Sequence, residues 1–526
     1  MKMIMTESRR IILNTLATYG RTMFALTLGL FSSRWVLQGL GKNDLGLFGI
    51  VGSLIVVIGL LNTVLRIAVS RYYAFTIGQA RKMPVEEGRE LMTQWFNAAF
   101  SLHVIFPAVL LTIGYPIGVY AIHHWLVIPP ERMTACIWIF RISVLTAFIN
   151  MSTAPFLALY SAYQLISELS IFGIIQTVLT FGFVYSMLSY TGDRLIYYGI
   201  GTAFISCLIL GIQVVRAICH FDACRFRFRY FFDWRKFRSL FAYASWELFS
   251  CLGDMFRSQG AAFVINRHFG LGVNAAYGIA NQVSSYTTSL SSAMIGALSP
   301  AITSAEGSGD RIRMLNLSIQ CCKFGSLMIL VFCIPLIIEM DEVLHQWLVN
   351  PPEWTNVFCR CILFAFVIHK LGWGHHLAIS AHGKIGLYHF CIGTTSAMTL
   401  CFMSVLIACG YGVASIGYGI IASFLALTIE RVLFARQLIG MSLRIWIAQV
   451  VLPVAFAAVT SYVLASCTRL VLCPSFLRVC LTTFISLVVL CGISWRFVLC
   501  SEEREFVLSG LHKVFKKFTL MSARKW

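Results

Sequence analysis

Residues 123–131 read HHWLVIPPE, and residues 345–353, 222 positions further on, read HQWLVNPPE. Seven of the nine positions are identical, among them the Trp, both prolines and the Glu. An internal duplication constrains architecture strongly, because each copy must be one structural unit. Each copy stands just after one long apolar run and just before the next. A helix that crosses a bilayer needs about 20 apolar residues. The reading is therefore a membrane protein made of two related halves, a plan found most often among transporters.

Two further correspondences extend the duplication. LGKNDLGLFGI at 40–50 parallels FGLGVNAAYGI at 269–279, displaced by 229 residues. LYSAYQLI at 159–166 parallels AISAHGKI at 378–385, displaced by 219. Three matches in order at nearly constant displacement define the repeat. Fourteen apolar spans are expected, at 12–36, 45–69, 96–121, 134–158, 168–190, 196–218, 239–264, 273–299, 316–338, 355–379, 385–409, 412–435, 445–466 and 474–499. The spans beginning at 239 and 273 are the least hydrophobic. Six spans separate the copies, and six is even, so both halves have one orientation and are related by an axis along the membrane normal. The fold class is an all-α polytopic membrane protein. Its expected organisation is a six-helix lobe at 1–219, a basic linker at 220–238, a second six-helix lobe at 239–440, two added helices at 441–500 and a basic amphipathic tail at 501–526.

Composition excludes a soluble domain: 58% of the 526 residues are hydrophobic, only 12% are charged, and mean hydropathy is +0.79. The net charge of +19 does not call for nucleic acid. Cations gather on one side, in Lys2, Arg9 and Arg10, in Arg71, Arg81, Lys82 and Arg89, in 225–238, and in the tail. The other side carries Lys42, Arg132, Arg194, Arg267 and Arg469. That asymmetry places both termini in the cytoplasm. The linker RFRFRYFFDWRKFR at 225–238 suits a surface lying against anionic headgroups. Phe506, Leu511, Val514, Phe515 and Phe518, set against Lys513, Lys516 and Lys517, read as an interfacial helix. The first span is too long for a cleavable signal. The eighteen cysteines show no metal-binding spacing, and no cofactor or metal is expected. Cys467 and Cys473 flank one outer loop and are close enough in sequence to pair.

A family emerges from these features. Twelve helices in two parallel halves, followed by two more, resemble the polysaccharide flippases of the MATE-like superfamily, the multidrug/oligosaccharidyl-lipid/polysaccharide exporters. The turn carrying Gly41, Gly46, Phe48 and Gly49 is similar to theirs, as are the loops Trp125 to Glu131 and Trp347 to Glu353. The resemblance covers roughly residues 10–500. It implies alternating-access movement of lipid-linked oligosaccharide, the repeat unit of surface polysaccharides such as lipopolysaccharide, from the cytoplasmic to the outer leaflet of a bacterial inner membrane. It also implies coupling to H⁺ or Na⁺ as a rival or accompanying feature, since related drug antiporters carry acidic residues in the seventh helix. A monomer surrounded by membrane lipids is expected.

Ionisable side chains at membrane depth are costly and face a cavity or a partner. Glu247, Asp254 and Arg257 share one face of the seventh span. One reading has Asp254 and Arg257 neutralising each other; the other has Glu247 and Asp254 exchanging a coupling cation. Arg21 in span one, Arg141 in span four and Lys370 in span ten are candidates, with Arg257, for an anionic head group, because a guanidinium binds phosphate oxygens through a planar fork. Arg66, Lys323 and Arg431 read as positive-inside anchors near span ends. His375 and His376 point apart on a helix and read as structural. In the repeated loop, Pro suits a first helical turn and Glu its positive end. The rival functions are a cation-coupled multidrug antiporter and a membrane-bound glycan-processing enzyme; the latter lacks a loop large enough for a catalytic site, so no enzyme is expected.

Overall fold

The computed structural model describes residues 2–504 apart from 54, 127, 349 and 502, with backbone alone for 2–12, 30, 42, 53, 56–57 and 289–294. The interfacial helix expected around Lys513, Lys516 and Lys517 lies outside the described residues, as do the side chains of Lys2, Arg9 and Arg10. The described chain is helical throughout, with no strand among the described residues. In order the helices are α1 (Lys2–Ser53), α2 (Val56–Ala80), α3 (Val85–His124), α4 (Pro130–Ala162), α5 (Ile166–Met187), α6 (Arg194–His220), α7 (Trp234–Gly307) and α8 (Arg311–Leu348). There follow α9 (Thr355–Leu371), α10 (Trp373–His382), α11 (Gly386–Ala408), α12 (Ala414–Ile439), α13 (Leu443–Trp446), α14 (Leu452–Ser466), α15 (Thr468–Val471) and α16 (Phe476–Ile493).

All fourteen expected spans fall on helical segments. Among the described residues, nine helices are long and apolar enough to cross a membrane, or ten if the bent pair α9–α10 is one span. The four remaining spans lie in α1–α2 and in α7. The molecule is a multi-pass membrane protein.

Backbone geometry repeats where the sequence does. α1 and α7 each join two helices across one left-handed residue, Gly41 (φ 75, ψ 172) and Gly270 (φ 81, ψ −175). These occupy matching positions in the 40–50 and 269–279 motifs, and glycine is required there because a Cβ would strain the turn. The 159–166 and 378–385 motifs agree likewise. Gln164 (φ 58) and Gly383 (φ 90) are 219 residues apart and both left-handed, closing the ends of α4 and α10. At the first of these ends the Leu165 N–H donates to the Tyr160 carbonyl at 2.7 Å, the bond of a Schellman close. Asn14 on α1 clamps this turn, donating to the Gln164 carbonyl (2.8 Å) and accepting from the Ser167 N–H (2.9 Å).

The WLVxPPE copies differ in detail. In the first, Pro130 opens α4 and Glu131 lies in its first turn, as the sequence suggests. In the second, the helix waits until Thr355, because Trp354 adopts φ 71 and holds Glu353 in a turn before it.

The described chain gathers into two compact units, an N-terminal one of Leu13–Leu248 with Thr303–Asp310 and a C-terminal one of residues 2–12 and Phe249–Ile302 with the described residues from Arg311 onward. In the N-terminal unit, Val36, Leu40, Val51, Ile122, Phe140, Met187 and Leu195 form a core. The basic linker is fastened to α3 there: Asn97 donates to the Arg225 carbonyl (2.8 Å) and accepts from the Arg227 N–H (2.9 Å), while Arg227 pairs with Glu90 (2.8 Å). Phe228, Phe232 and Trp234 remain exposed.

The C-terminal unit is organised around α8. The added helices α14 and α16 pack against it and are tied to it by buried ion pairs. Arg478 on α16 meets the fully buried Glu339 at 2.8 Å, and Thr482 donates to the other oxygen of that carboxylate at 3.0 Å. Lys323 meets Glu503 at 2.6 Å. Lys323 is therefore a buried clamp rather than a headgroup anchor. Cys467 and Cys473 are both free thiols.

Candidate functional site

The tenth span is broken. α9 ends at Leu371, α10 begins at Trp373, and the two meet at 44° around Gly372. A break strands backbone groups that a continuous helix would pair, and at membrane depth other protein groups must take them up. Here the Thr428 hydroxyl donates to the Ile368 carbonyl (3.1 Å), and the Trp446 indole donates to the Leu371 carbonyl (2.9 Å). On the other side of the break, Cys322 of α8 receives the N–H groups of Gly374 and His375.

Charge collects around this break. Lys370 is 3% exposed, with its ammonium 5.0 Å from the centre of the Trp373 ring. Arg431 on α12, 4% exposed, lies 5.0 Å from the same ring and donates to His369 Nε2 at 2.9 Å. Arginine has only donors, so Nε2 of His369 accepts and the ring proton sits on Nδ1. That Nδ1 is buried with no hydrogen-bond partner. His376 bonds the Tyr388 hydroxyl (2.8 Å), and His375 bonds Ser318 (3.1 Å) on a different side, so the two histidines diverge as the sequence suggests.

α7 supplies the acidic side. A Cβ on Gly253 would come within 2.3 Å of the Gly393 carbonyl oxygen, so the α7 and α11 backbones touch where only glycine fits. The close crossing brings Ser396 to Asp254, donating at 2.9 Å. Arg257, one turn on, donates to the same oxygen at 3.3 Å and lies 4.3 Å from the centre of the Phe424 ring. His369 packs edge-on against that ring at 4.8 Å, so Arg257 is linked through Phe424 to the cluster at the break. The Asp254 side chain keeps 55% of its surface open, while that of Arg257 keeps 16%. Glu430 accepts a hydrogen bond from Thr395 and leaves its second oxygen buried and unpartnered.

The structure thus brings Lys370, Arg257 and Asp254 into one cluster, all within the C-terminal unit. Glu247 is buried on α7, two turns before Asp254 and on the N-terminal unit's side of the division. Arg21 and Arg141 belong to the N-terminal unit. Arg21 is exposed on α1 and lies across Gly173 of α5. Arg141 is exposed on α4, donating to the Tyr115 hydroxyl (3.1 Å) beside Trp138. Sequence reasoning missed Glu430 and misplaced Arg431. A span taken to end at 435 puts Arg431 near the surface, but α12 runs on to Ile439, eight residues or about 12 Å further. Two adjacent charges, Glu430 and Arg431, following the mainly apolar first 16 residues of the 26-residue helix were the available signal.

The N-terminal unit holds a cavity of about 400 Å³ between the α1–α2 junction, α4 and α6. Asn62, Ser143, Thr146, Asn150, Thr202 and Ser206 place polar groups in a mostly apolar wall, and none of the described lining residues is ionisable.

Residues 195–348 match the family described as "Polysaccharide biosynthesis protein". No curated protein matches the sequence. Among solved structures the chain is similar to a MATE in a bent conformation, with a TM-score of 0.68 at 15% identity over 83% of this chain and 97% of that one. A MOP superfamily transporter from Pyrococcus furiosus, described as having reversed polarity in its binding pocket, gives 0.65 at 15% identity over 82% and 96%. The MATE transporter ClbM in complex with Rb⁺ gives 0.63 at 13% identity over 84% and 96%. The chain carries the MATE fold, as the sequence resemblance implies.

Proposed function

We propose that this chain is an alternating-access transporter of the MATE-like superfamily that moves lipid-linked oligosaccharide from the cytoplasmic to the outer leaflet for surface polysaccharide synthesis. One observation carries the reading: Lys370 and Arg431 are both buried within 5.0 Å of the centre of one Trp ring at a broken membrane helix, with Arg257 connected to them through Phe424 and His369. Three cations against Asp254 and Glu430 suit an anionic head group such as a diphosphate. Guanidinium groups offer forked donors that cannot lose their protons, and Lys370 adds a compact charge. Broken transporter helices also present a positive N-terminus to anionic groups, and α10 begins at this point. Arg21 and Arg141 are further contacts for the same substrate. The match of 195–348 to a polysaccharide biosynthesis family supports the glycan.

Asp254 gives the site a route to coupling. An anion that draws Arg257 away leaves Asp254 held by Ser396 alone, so that a coupling cation, H⁺ or Na⁺, can take the place of the guanidinium. Glu247 is the second acidic member. The protein acts as a monomer in a bacterial inner membrane with both termini cytoplasmic, needs no cofactor and catalyses no covalent step. The half-open Asp254 also favours a second reading, a cation-coupled multidrug antiporter.

Deletion of the chain in its host separates the two. The proposed flippase predicts lipid-linked repeat units accumulating on the cytoplasmic leaflet, with surface glycan lost. Normal glycan with new drug sensitivity would instead establish the antiporter. In purified protein, farnesyl diphosphate should bind and Lys370→Met should weaken it; no binding to the unmodified protein would remove the anionic-site argument.

A further inference from the structure

The helices outside the duplication reach into the site at one point. Trp446, the last residue of α13, donates its indole N–H to the Leu371 carbonyl at 2.9 Å, and its ring lies 6.1 Å from that of His375. In a continuous helix the Leu371 carbonyl would be paired by the N–H of His375, which here is turned to Cys322. The Trp446 indole therefore takes up a carbonyl that the bend has freed, and so offsets part of what the bend costs. A straight tenth span would satisfy Leu371 internally, and the indole would then add only a second bond to a carbonyl already paired.

We infer that α13–α16 form a fixed buttress that holds the bend between α9 and α10, with Trp446 as the positioning residue that sets Lys370 and Trp373 on either side of it. The effect on the anionic site rests on the function proposed above; the effect on the bend does not. Two features bear on how the donor is held. The Arg478–Glu339 and Lys323–Glu503 pairs, buried at separate points along α8, bolt the added helices to the unit, and separating either pair would strand a charge. The backbone just after Trp446, Ile447–Val451, winds as a π-helix, a local widening that redirects side chains and concentrates at functional sites. Gly372, Lys370 and Trp373 then lie within two residues of the carbonyl that Trp446 grips.

The test uses the full chain in lipid nanodiscs. Trp446→Phe keeps an aromatic ring and removes the donor. Amide exchange over 369–376 should accelerate about five- to tenfold, the scale of one hydrogen bond. Farnesyl diphosphate should bind more weakly by a similar factor. Glu339→Gln, which loosens the buttress at a distance, should accelerate exchange in the same segment. Unchanged exchange over 369–376 in Trp446→Phe overturns the buttress. Faster exchange with unchanged farnesyl diphosphate affinity overturns the positioning role. If the unmodified protein binds no farnesyl diphosphate, the proposed substrate fails, while exchange still decides what holds the bend.

Discussion

α4 and the α9–α10 pair are copies of one ancestral span, yet they have become opposites. α4 runs unbroken for 33 residues and faces a cavity walled by Ser143, Thr146 and Asn150. Its counterpart breaks at Gly372, and the break is surrounded by Lys370, Arg431, His369 and Trp373. Displacements of 219 to 222 place Gly372 opposite the stretch 150–153, where the first half has Asn, Met, Ser and Thr. Duplication preserved the turns at the ends of these spans and released their middles. An uncharged cavity wall and a cationic cluster then arose on the same scaffold.

The contrast can be broken by mutation, and the largest effect should come from the buttress that only the second half possesses. Glu339→Gln leaves Arg478 buried without its carboxylate, and separating such a pair costs about 3–5 kcal/mol. Thermal unfolding of the C-terminal unit should show that loss; an unchanged transition would mean Arg478 finds another acceptor. Next in size, Arg431→Met keeps bulk beside Trp373 but removes a buried guanidinium. Farnesyl diphosphate affinity should fall by about 10- to 100-fold, the scale of a charge-assisted hydrogen bond. Asn150→Leu in the neutral cavity should leave that affinity within about twofold, since no ion contact is lost there. Equal losses from both substitutions would erase the distinction between the halves.

A smaller effect sharpens the comparison at the repeated turns. Gln164 and Gly383 hold the same left-handed conformation, which costs a side chain about 1–2 kcal/mol. Gly383→Gln should therefore destabilise by about 1 kcal/mol, while Gln164→Gly should be neutral or mildly stabilising in the same melting assay. The smallest effect concerns the start of the second half. Asp233 caps α7, accepting from the Lys236 N–H at 3.3 Å and pairing with its ammonium at 2.5 Å. Partial burial pushes its carboxyl up, but the hydrogen bonds and charge of Lys236 outweigh this and hold it below the usual carboxylate range. A depressed carboxyl stabilises above its unfolded pKa and loses that contribution as pH falls through the folded one. Exchange at the first turn of α7 should thus rise under acid, and Asp233→Asn should abolish that pH dependence.

Much of this was legible before any coordinates. Continuous apolar runs of about 20 residues give helices because only a helix satisfies the backbone within one segment in lipid, so the spans and their order followed from hydropathy. Gly41 and Gly270 were visible as matching glycines. Gln164 was not, because its left-handed turn depends on Asn14 gripping it from 150 residues away. Lys370, Arg257 and Asp254 could be singled out as charges at membrane depth. Their association could not, since it runs through Phe424, Trp373 and the touching backbones at Gly253 and Gly393. Arg431 was misjudged by one turn of helix, enough to move a charge from the surface to the core of a site.

By itself the sequence determined the class of the molecule, its duplication and the residues that carry charge into the membrane. These depend on local composition and on spacing along the chain. Tertiary structure alone decided that the tenth span bends, that three of the cations and acids meet, and that the helices beyond the repeat clamp them in place. Those outcomes depend on which distant groups take up a freed carbonyl or a buried charge, and that pairing is a property of packing.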